Sequence, residues 1–70
     1  MLQGYLQKNG SGKYSICEAY ELNCGEGVEI KTPKGWMMMR VEHDGTDYYL
    51  LGDQGLSFYP KRVCARKRQA

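Results

Sequence analysis

Three consecutive residues, Glu42, His43 and Asp44, are of the types that carry out acid–base catalysis. A histidine titrates near neutral pH, and a neighbouring carboxylate can orient its ring. Adjacent residues of a strand point to opposite faces, so Glu42 and His43 would not reach the same substrate. Asp44 precedes a glycine and is better explained as a turn residue. We therefore predict that the chain has no catalytic residues and is not an enzyme.

Cysteines are the other reactive residues, and the chain has three, Cys17, Cys24 and Cys64. Secreted mini-proteins carry an even and dense set of cysteines, whereas zinc sites use closely spaced cysteine and histidine ligands. Here the number is odd, no C-x-x-C spacing occurs, and the single histidine is remote in sequence from all three. The sequence thus predicts reduced, buried thiols, no metal site and no cofactor.

Trp36, Arg40 and Tyr49 are better suited to binding a ligand than to catalysis. If Arg40 and Tyr49 lie opposite each other on neighbouring strands, the three side chains share one face. The flat rings could stack on nucleic-acid bases or on a protein partner, and the guanidinium could reach a phosphate or a carboxylate. A structural cation–π pair explains the same residues, so both interpretations stay open.

Basic residues are concentrated at the C-terminal end of the chain. Residues 61–70, KRVCARKRQA, hold five of the ten lysines and arginines and no acid, although the net charge of the whole chain is only +2. Such an end is typical either of a segment that touches nucleic acid or of a solubilising terminus. The sequence-predicted phosphate contacts are Arg40, Lys61, Arg62, Arg66, Lys67 and Arg68.

Short strands are the elements that would position these residues. Turn residues recur at short intervals, and no long window keeps a helical period of apolar side chains. A chain of 70 residues is enough for one domain. We predict an all-β fold, a small SH3-like barrel of five or six short antiparallel strands over residues 1–64, followed by a basic, flexible C-terminal tail at residues 65–70.

Asp44 and Gly45 supply the strongest local signal, which favours a hairpin with a two-residue type I′ loop. That loop would place Arg40 opposite Tyr49. The two strands then share an apolar face that we predict to be core, formed by Met37, Met39, Val41, Tyr48 and Leu50. The opposite face would be partly exposed and would carry the binding residues named above.

The cellular location of the protein can be predicted from the membrane and export signals in its sequence. It contains no run of about 18 apolar residues, the length that a membrane span needs. The N-terminal residues also lack the basic start and apolar block of a signal peptide. We therefore expect a cytoplasmic protein with no membrane partner, present as a monomer or a weak dimer.

Four segments together resemble one bacterial family: GKYSI at 12–16, ELNCGEGVEI at 21–30, GWMMMRVEHDGTDYYLLG at 35–52 and GLSFYPKRV at 55–63. The shared pattern is G-x-Y-x-[IL], then G-[ED]-x-[ILV]-E-[IV], then W-x-x-x-R-[IV]-E, then YYL. That family is classed as a domain of unknown function, with short single-domain members from Gram-positive anaerobes and their mobile elements. The resemblance implies a small β domain in plasmid, phage or conjugative-element biology, and it assigns no catalytic residues.

Two classes of function remain open at this point. In the first, the face with Trp36, Arg40 and Tyr49 stacks on bases while the basic end neutralises phosphates. In the second, the domain binds a protein, for example as an accessory or inhibitor protein encoded by a mobile element, and the basic end only aids solubility. The five bases in the last ten residues favour nucleic acid.

Overall fold

The computed structural model describes residues 2–67, and within that range the fold is all-β. In this part of the chain, eight strands form one antiparallel sheet, and a 3-10 turn at Asp53–Gly55 follows the sixth. The spatial order of the strands is β3-β2-β1-β8-β4-β5-β6-β7. Their bounds are β1 Leu2–Lys8, β2 Tyr14–Ile16, β3 Tyr20–Glu21, β4 Gly27–Thr32, β5 Gly35–His43, β6 Tyr48–Leu51, β7 Ser57–Phe58 and β8 Cys64–Lys67.

The sheet is strongly coiled, but it does not close. A flat sheet of eight strands would be roughly 34 Å wide and thin, because neighbouring strands lie about 4.8 Å apart. The observed extents are instead 30 × 28 × 24 Å. Lys8, at the end of β1, forms an ion pair with Asp47 beside β6 and so links the two ends of the sheet. The all-β prediction is confirmed, whereas the predicted SH3-like barrel of five or six strands is not, since among residues 2–67 β3 pairs only with β2 and β7 only with β6.

The core is a cluster of buried apolar side chains contributed by strands along the sheet and by Leu22, which follows β3. Met39, Val41 and Leu50 were predicted to be core and are at most 2% exposed, and Tyr48 packs against them while half-buried. Met37 was wrongly assigned to the core, because β6 covers β5 only from Arg40 onward and leaves Met37 beyond its end. The buried cluster comprises Leu6, Tyr14, Ile16, Leu22, Val28, Ile30, Met39, Val41, Leu50 and Ala65.

The hairpin between β5 and β6 differs from the prediction by two residues. Its loop has four residues, and Arg40 pairs with Leu51 rather than with Tyr49. A type I′ loop needs positive φ angles at both central residues, but among the loop residues only Gly45 has one, of 100°. The Asp44 carboxylate instead accepts backbone hydrogen bonds from Thr46 and Asp47, both at 2.7 Å. An even shift preserves which face each side chain occupies, so the predicted core largely survives.

The basic end of the chain is part of the sheet as far as Lys67. Strand β8 lies between β1 and β4, and its residue Ala65 is fully buried. The predicted flexible tail from residue 65 is therefore wrong for its first three residues, and residues 68–70 lie outside the described residues. Between residues 2 and 67, no helix has the length and apolar character needed to cross a membrane.

Candidate nucleic-acid interface

The surface of the sheet opposite the core contains the aromatic and basic residues that could bind a ligand. Side chains alternate along each strand, so the neighbours of the buried residues point outward. Across β1, β8, β4 and β5 the pairing places Gln3 beside Arg66, Arg66 beside Glu29, and Glu29 beside Met38. This surface is called the outer face, and it is formed by Tyr5, Lys31, Trp36, Arg62 and Arg66.

Trp36 lies on β5, at one side of the outer face, and two cations lie over its ring. The guanidinium carbon of Arg66 is 4.1 Å from the centre of the indole ring, and the amine of Lys31 is 5.4 Å from it. Arg66 also donates two hydrogen bonds to Glu29, from Nε to Oε1 at 3.0 Å and from Nη2 to Oε2 at 3.4 Å. This fork fixes the guanidinium plane, so that Arg66 and Trp36 form a preorganised stack.

Tyr5 is the second aromatic residue of the outer face, and sequence reasoning did not identify it. It is 51% exposed, and the guanidinium carbon of Arg62 is 5.1 Å from the centre of its ring. The available signal was its position next to Leu6 in an alternating strand, which directs the tyrosine outward. The contact with Arg62 depends on the pairing of β1 with β8, which no local pattern indicated.

Three of the sequence-predicted phosphate contacts form ion pairs with glutamates. Arg66 pairs with Glu29, as described above, and Arg40 pairs with Glu42 on its own strand. Lys67 pairs with Glu26 at 3.1 Å. By contrast, Lys61 and Arg62 are exposed and form no ion pair with an acid among residues 2–67. Arg68 lies outside the described residues.

Glu26 holds Lys67 at the end of β8 and is itself positioned by hydrogen bonds from Tyr20 and Asn23. Burial alone would raise the pKa of its carboxyl, but the backbone N–H of Asn23, the hydroxyl of Tyr20 and the Lys67 amine lower it below the ordinary value. The Lys67 amine also donates to the carbonyl of Gly27 at 2.7 Å. Lys67 is therefore committed to the structure rather than free for a phosphate.

Tyr49 does not share a site with Trp36. It lies opposite Glu42, six residues along β5 from Trp36, which corresponds to a separation of about 20 Å. Its ring is 5.7 Å from that of Tyr59. The predicted set of Trp36, Arg40 and Tyr49 therefore does not assemble, because it relied on the incorrect hairpin register.

The three acid–base candidates, Glu42, His43 and Asp44, each contact a different partner. The Nδ1 atom of His43 accepts a hydrogen bond from the backbone N–H of Gly45 at 3.1 Å, and its ring packs against Tyr48. Glu42 pairs with Arg40. Asp44 accepts a hydrogen bond from the hydroxyl of Tyr59 at 2.5 Å. These contacts shape the hairpin, and each of the three side chains has a different partner.

Asp44 is the most perturbed of these groups. The Tyr59 hydroxyl and the loop N–H groups lower the pKa of Asp44 from 3.8 to about 2. A lowered pKa in the folded state means that the ionised carboxylate stabilises the fold above about pH 4. That contribution disappears as the pH falls through about 2.

Tyr59→Phe is expected to raise the pKa of Asp44 toward 3.8, because it removes the largest contribution to the lowering. The variant should then lose the stabilising contribution of Asp44 at a higher pH than the unmodified protein. NMR titration of the side-chain carboxyl carbon measures the shift. Tyr49→Phe is the matched control and should leave this pKa unchanged. An unchanged value in Tyr59→Phe would show that the hydrogen bond is not formed in solution.

The three cysteines are free, and two of them are exposed, contrary to the expectation of buried thiols. Cys17 donates to the carbonyl of Gln3 at 3.0 Å, and Cys24 contacts Glu42 at 3.6 Å. Cys64 is half-buried. In the described part of the chain, no three residues of the types His, Cys, Asp and Glu are grouped so that they could hold a metal ion.

Comparison with known proteins identifies a family but no activity. A family profile described as "Domain of unknown function (DUF5348)" matches residues 4–64. Searches of curated proteins and of solved structures find no match to the chain. The matched region runs from within β1 to the first residue of β8 and includes both aromatic residues of the outer face. The chain therefore belongs to DUF5348, a family of domains of unknown function.

Proposed function

We propose that this protein is a non-enzymatic binding module that takes single-stranded nucleic acid on its outer face. The observation that carries the proposal is the pairing of two aromatic residues with guanidinium groups on one surface of the sheet, Tyr5 with Arg62 and Trp36 with Arg66. Aromatic rings and guanidinium planes are the groups on which splayed bases stack, whatever the sequence.

The spacing of the two aromatic residues favours a single strand over a duplex. Continuing the strand pairing places Tyr5 and Trp36 in one row across β1, β8, β4 and β5. Three gaps between strands separate the two side chains by about 14 Å. Bases stacked in a duplex rise by about 3.4 Å per step and offer only their edges to a protein. Both rings can be used together only by bases that are unstacked and separated along an extended strand.

Of the cations available for phosphate, Lys61 and Arg62 were predicted from the sequence, and Lys31 is added by the structure. Lys31, Lys61 and Arg62 are exposed and form no ion pair with an acid in the part of the chain that the structure describes. If these three neutralise phosphates, the logarithm of affinity should fall against the logarithm of salt concentration with a slope of about −2 on single strands.

Oligothymidylate should bind at low salt and quench the fluorescence of Trp36, the single tryptophan of the chain. Tyr5→Ala should weaken binding by about 1 to 3 kcal/mol without changing the salt slope, because stacking releases few counterions. Arg62→Gln should make the slope less steep by about 0.7. Both effects are measured by fluorescence anisotropy of a labelled oligonucleotide.

Tyr59→Ala is the matched control, since Tyr59 is 54% exposed and Tyr5 is 51% exposed. Tyr59 lies at the hairpin loop, away from the outer face, so its replacement should leave affinity unchanged. The absence of binding at low salt, where the electrostatic contribution is strongest, would overturn the proposed function. If Tyr5→Ala and Tyr59→Ala lost the same amount of binding affinity, the nucleic acid would not be bound on the outer face.

A further inference from the structure

Strand β5 is longer than β6, which pairs with it along the edge opposite β4. It pairs with β4 from Gly35 to Arg40, but with β6 only from Arg40 to His43. After Leu51 the chain leaves the sheet and enters the 3-10 turn. Among the described residues, segment 35–39 therefore has a strand partner on one side only. We call this segment the open edge.

The backbone groups that face the open side can be assigned from the hydrogen bonds further along β5. The N–H of Val41 donates to the carbonyl of Glu26, on the side of β4, at 2.9 Å. Backbone groups alternate in direction along a strand, so Met37 and Met39 also bond toward β4, while Trp36 and Met38 point toward the open side. Neither Trp36 nor Met38 has a backbone hydrogen bond to the loop that follows β6 within the described part of the chain.

Apolar side chains lie along the same edge. Met38 is 61% exposed, Leu56 50% and Met37 39%. Together with Asp53 and Gly55 they line an open cleft of about 550 Å³, which is large enough for a side chain. Proteins usually protect an exposed strand edge with lysine, proline or a bulge. Residues 36–39 contain none of these, and such an unprotected apolar edge is a feature of interaction sites.

We propose that the open edge binds an extended polypeptide segment, which adds to the sheet antiparallel to β5 and in line with β6. Trp36 and Met38 present backbone N–H and C=O groups at a spacing of two residues. An extended polypeptide backbone supplies donors and acceptors at the same spacing. An apolar side chain of the segment enters the cleft beside Met37 and Leu56. A lysine or arginine of the segment pairs with Asp53, whose carboxylate forms no ion pair among residues 2–67. The polypeptide uses the backbone groups of Trp36 and Met38, whereas the proposed nucleic acid stacks on the Trp36 ring at the outer face. The two proposals therefore name different partners, although Trp36 takes part in both.

Amide hydrogen exchange tests the geometry without any substitution. In the free protein, the amides of Trp36 and Met38 should exchange rapidly, whereas those of Met37 and Met39 should be protected by β4. The probe is a peptide selected on the full-length protein from a phage-displayed library of random octapeptides. When this peptide is added, the amides of Trp36 and Met38 should become protected and those of Tyr5 and Lys31 should not change.

Met38→Pro supplies a second test, because proline removes the outward N–H and is tolerated at a strand edge. It should weaken peptide binding by about tenfold or more. Met38→Thr, which keeps the N–H, is the control for the lost methionine side chain. Failure to select any peptide, or protection away from the open edge, would overturn the proposal. Protection that increases with protein concentration alone would show that a second copy of the chain occupies the edge, and would overturn it as well.

Discussion

Leu50→Ala is expected to lower the free energy of unfolding by about 2 to 5 kcal/mol. Leu50 is fully buried on β6, where it lies opposite Val41 on one side and Phe58 on the other. Removing its side chain therefore leaves a cavity at the point where three strands meet. Because a domain of this size has a total stability near the low end of about 5 to 15 kcal/mol, the variant should be close to unfolding. Urea denaturation followed by circular dichroism measures the loss.

Leu56→Ala is the matched control for this prediction. The same atoms are removed, but Leu56 is 50% exposed, so the change should stay within about 0.5 kcal/mol. If the two variants lost equal stability, the assignment of the core to the face with Met39, Val41 and Leu50 would be wrong.

Gly4→Ala is the second substitution expected to have a large effect. A β-carbon at position 4 would lie 1.8 Å from the sulfur of Cys17 and would force it to move. That sulfur is held by its contact with the carbonyl of Gln3, and Cys17 has a φ angle of 55° in a tight turn. We expect a loss of about 1 to 3 kcal/mol, the usual cost of overpacking.

A double variant separates the steric clash from a general effect of replacing glycine. Combining Gly4→Ala with Cys17→Ala removes the sulfur and leaves the Cys17 β-carbon at 3.4 Å, an ordinary contact. Most of the lost stability should return, and the two substitutions should be strongly non-additive. Gly10→Ala is the control, since nothing lies within 4 Å of a β-carbon there. A loss in Gly4→Ala no larger than in Gly10→Ala would contradict the contact with Cys17.

The faces of the long strands could be predicted from sequence, whereas the hairpin register could not. Alternation of apolar and polar residues assigns Val28, Ile30, Met39 and Val41 to the core whichever partner residues face them. The register depends on how residues 44–47 close the loop. Asp44 and Gly45 suit a two-residue loop locally, but the observed loop is fixed by the Asp44 carboxylate and by a hydroxyl from Tyr59, fifteen residues away.

Strand β8 was missed because its partners are distant in sequence. Four residues that include Arg66 and Lys67 have the composition of a solvated end of the chain. Their cations are neutralised by Glu29 and Glu26, which lie 37 and 41 residues earlier. The same pairing brings Arg62 over Tyr5, so only the Trp36 half of the outer face could be predicted from local patterns.

Binding of single-stranded nucleic acid on the outer face is tested most directly by an NMR titration of the ¹⁵N-labelled protein with oligothymidylate at low salt. Chemical shifts should change for the residues of the outer face, above all for the amides of Tyr5 and Lys31 and the indole N–H of Trp36. The signals of Leu56 and Tyr59, which lie elsewhere on the surface, should stay constant. An absence of shifts, or shifts concentrated at Leu56 or Tyr59, would contradict binding of a single strand on this face.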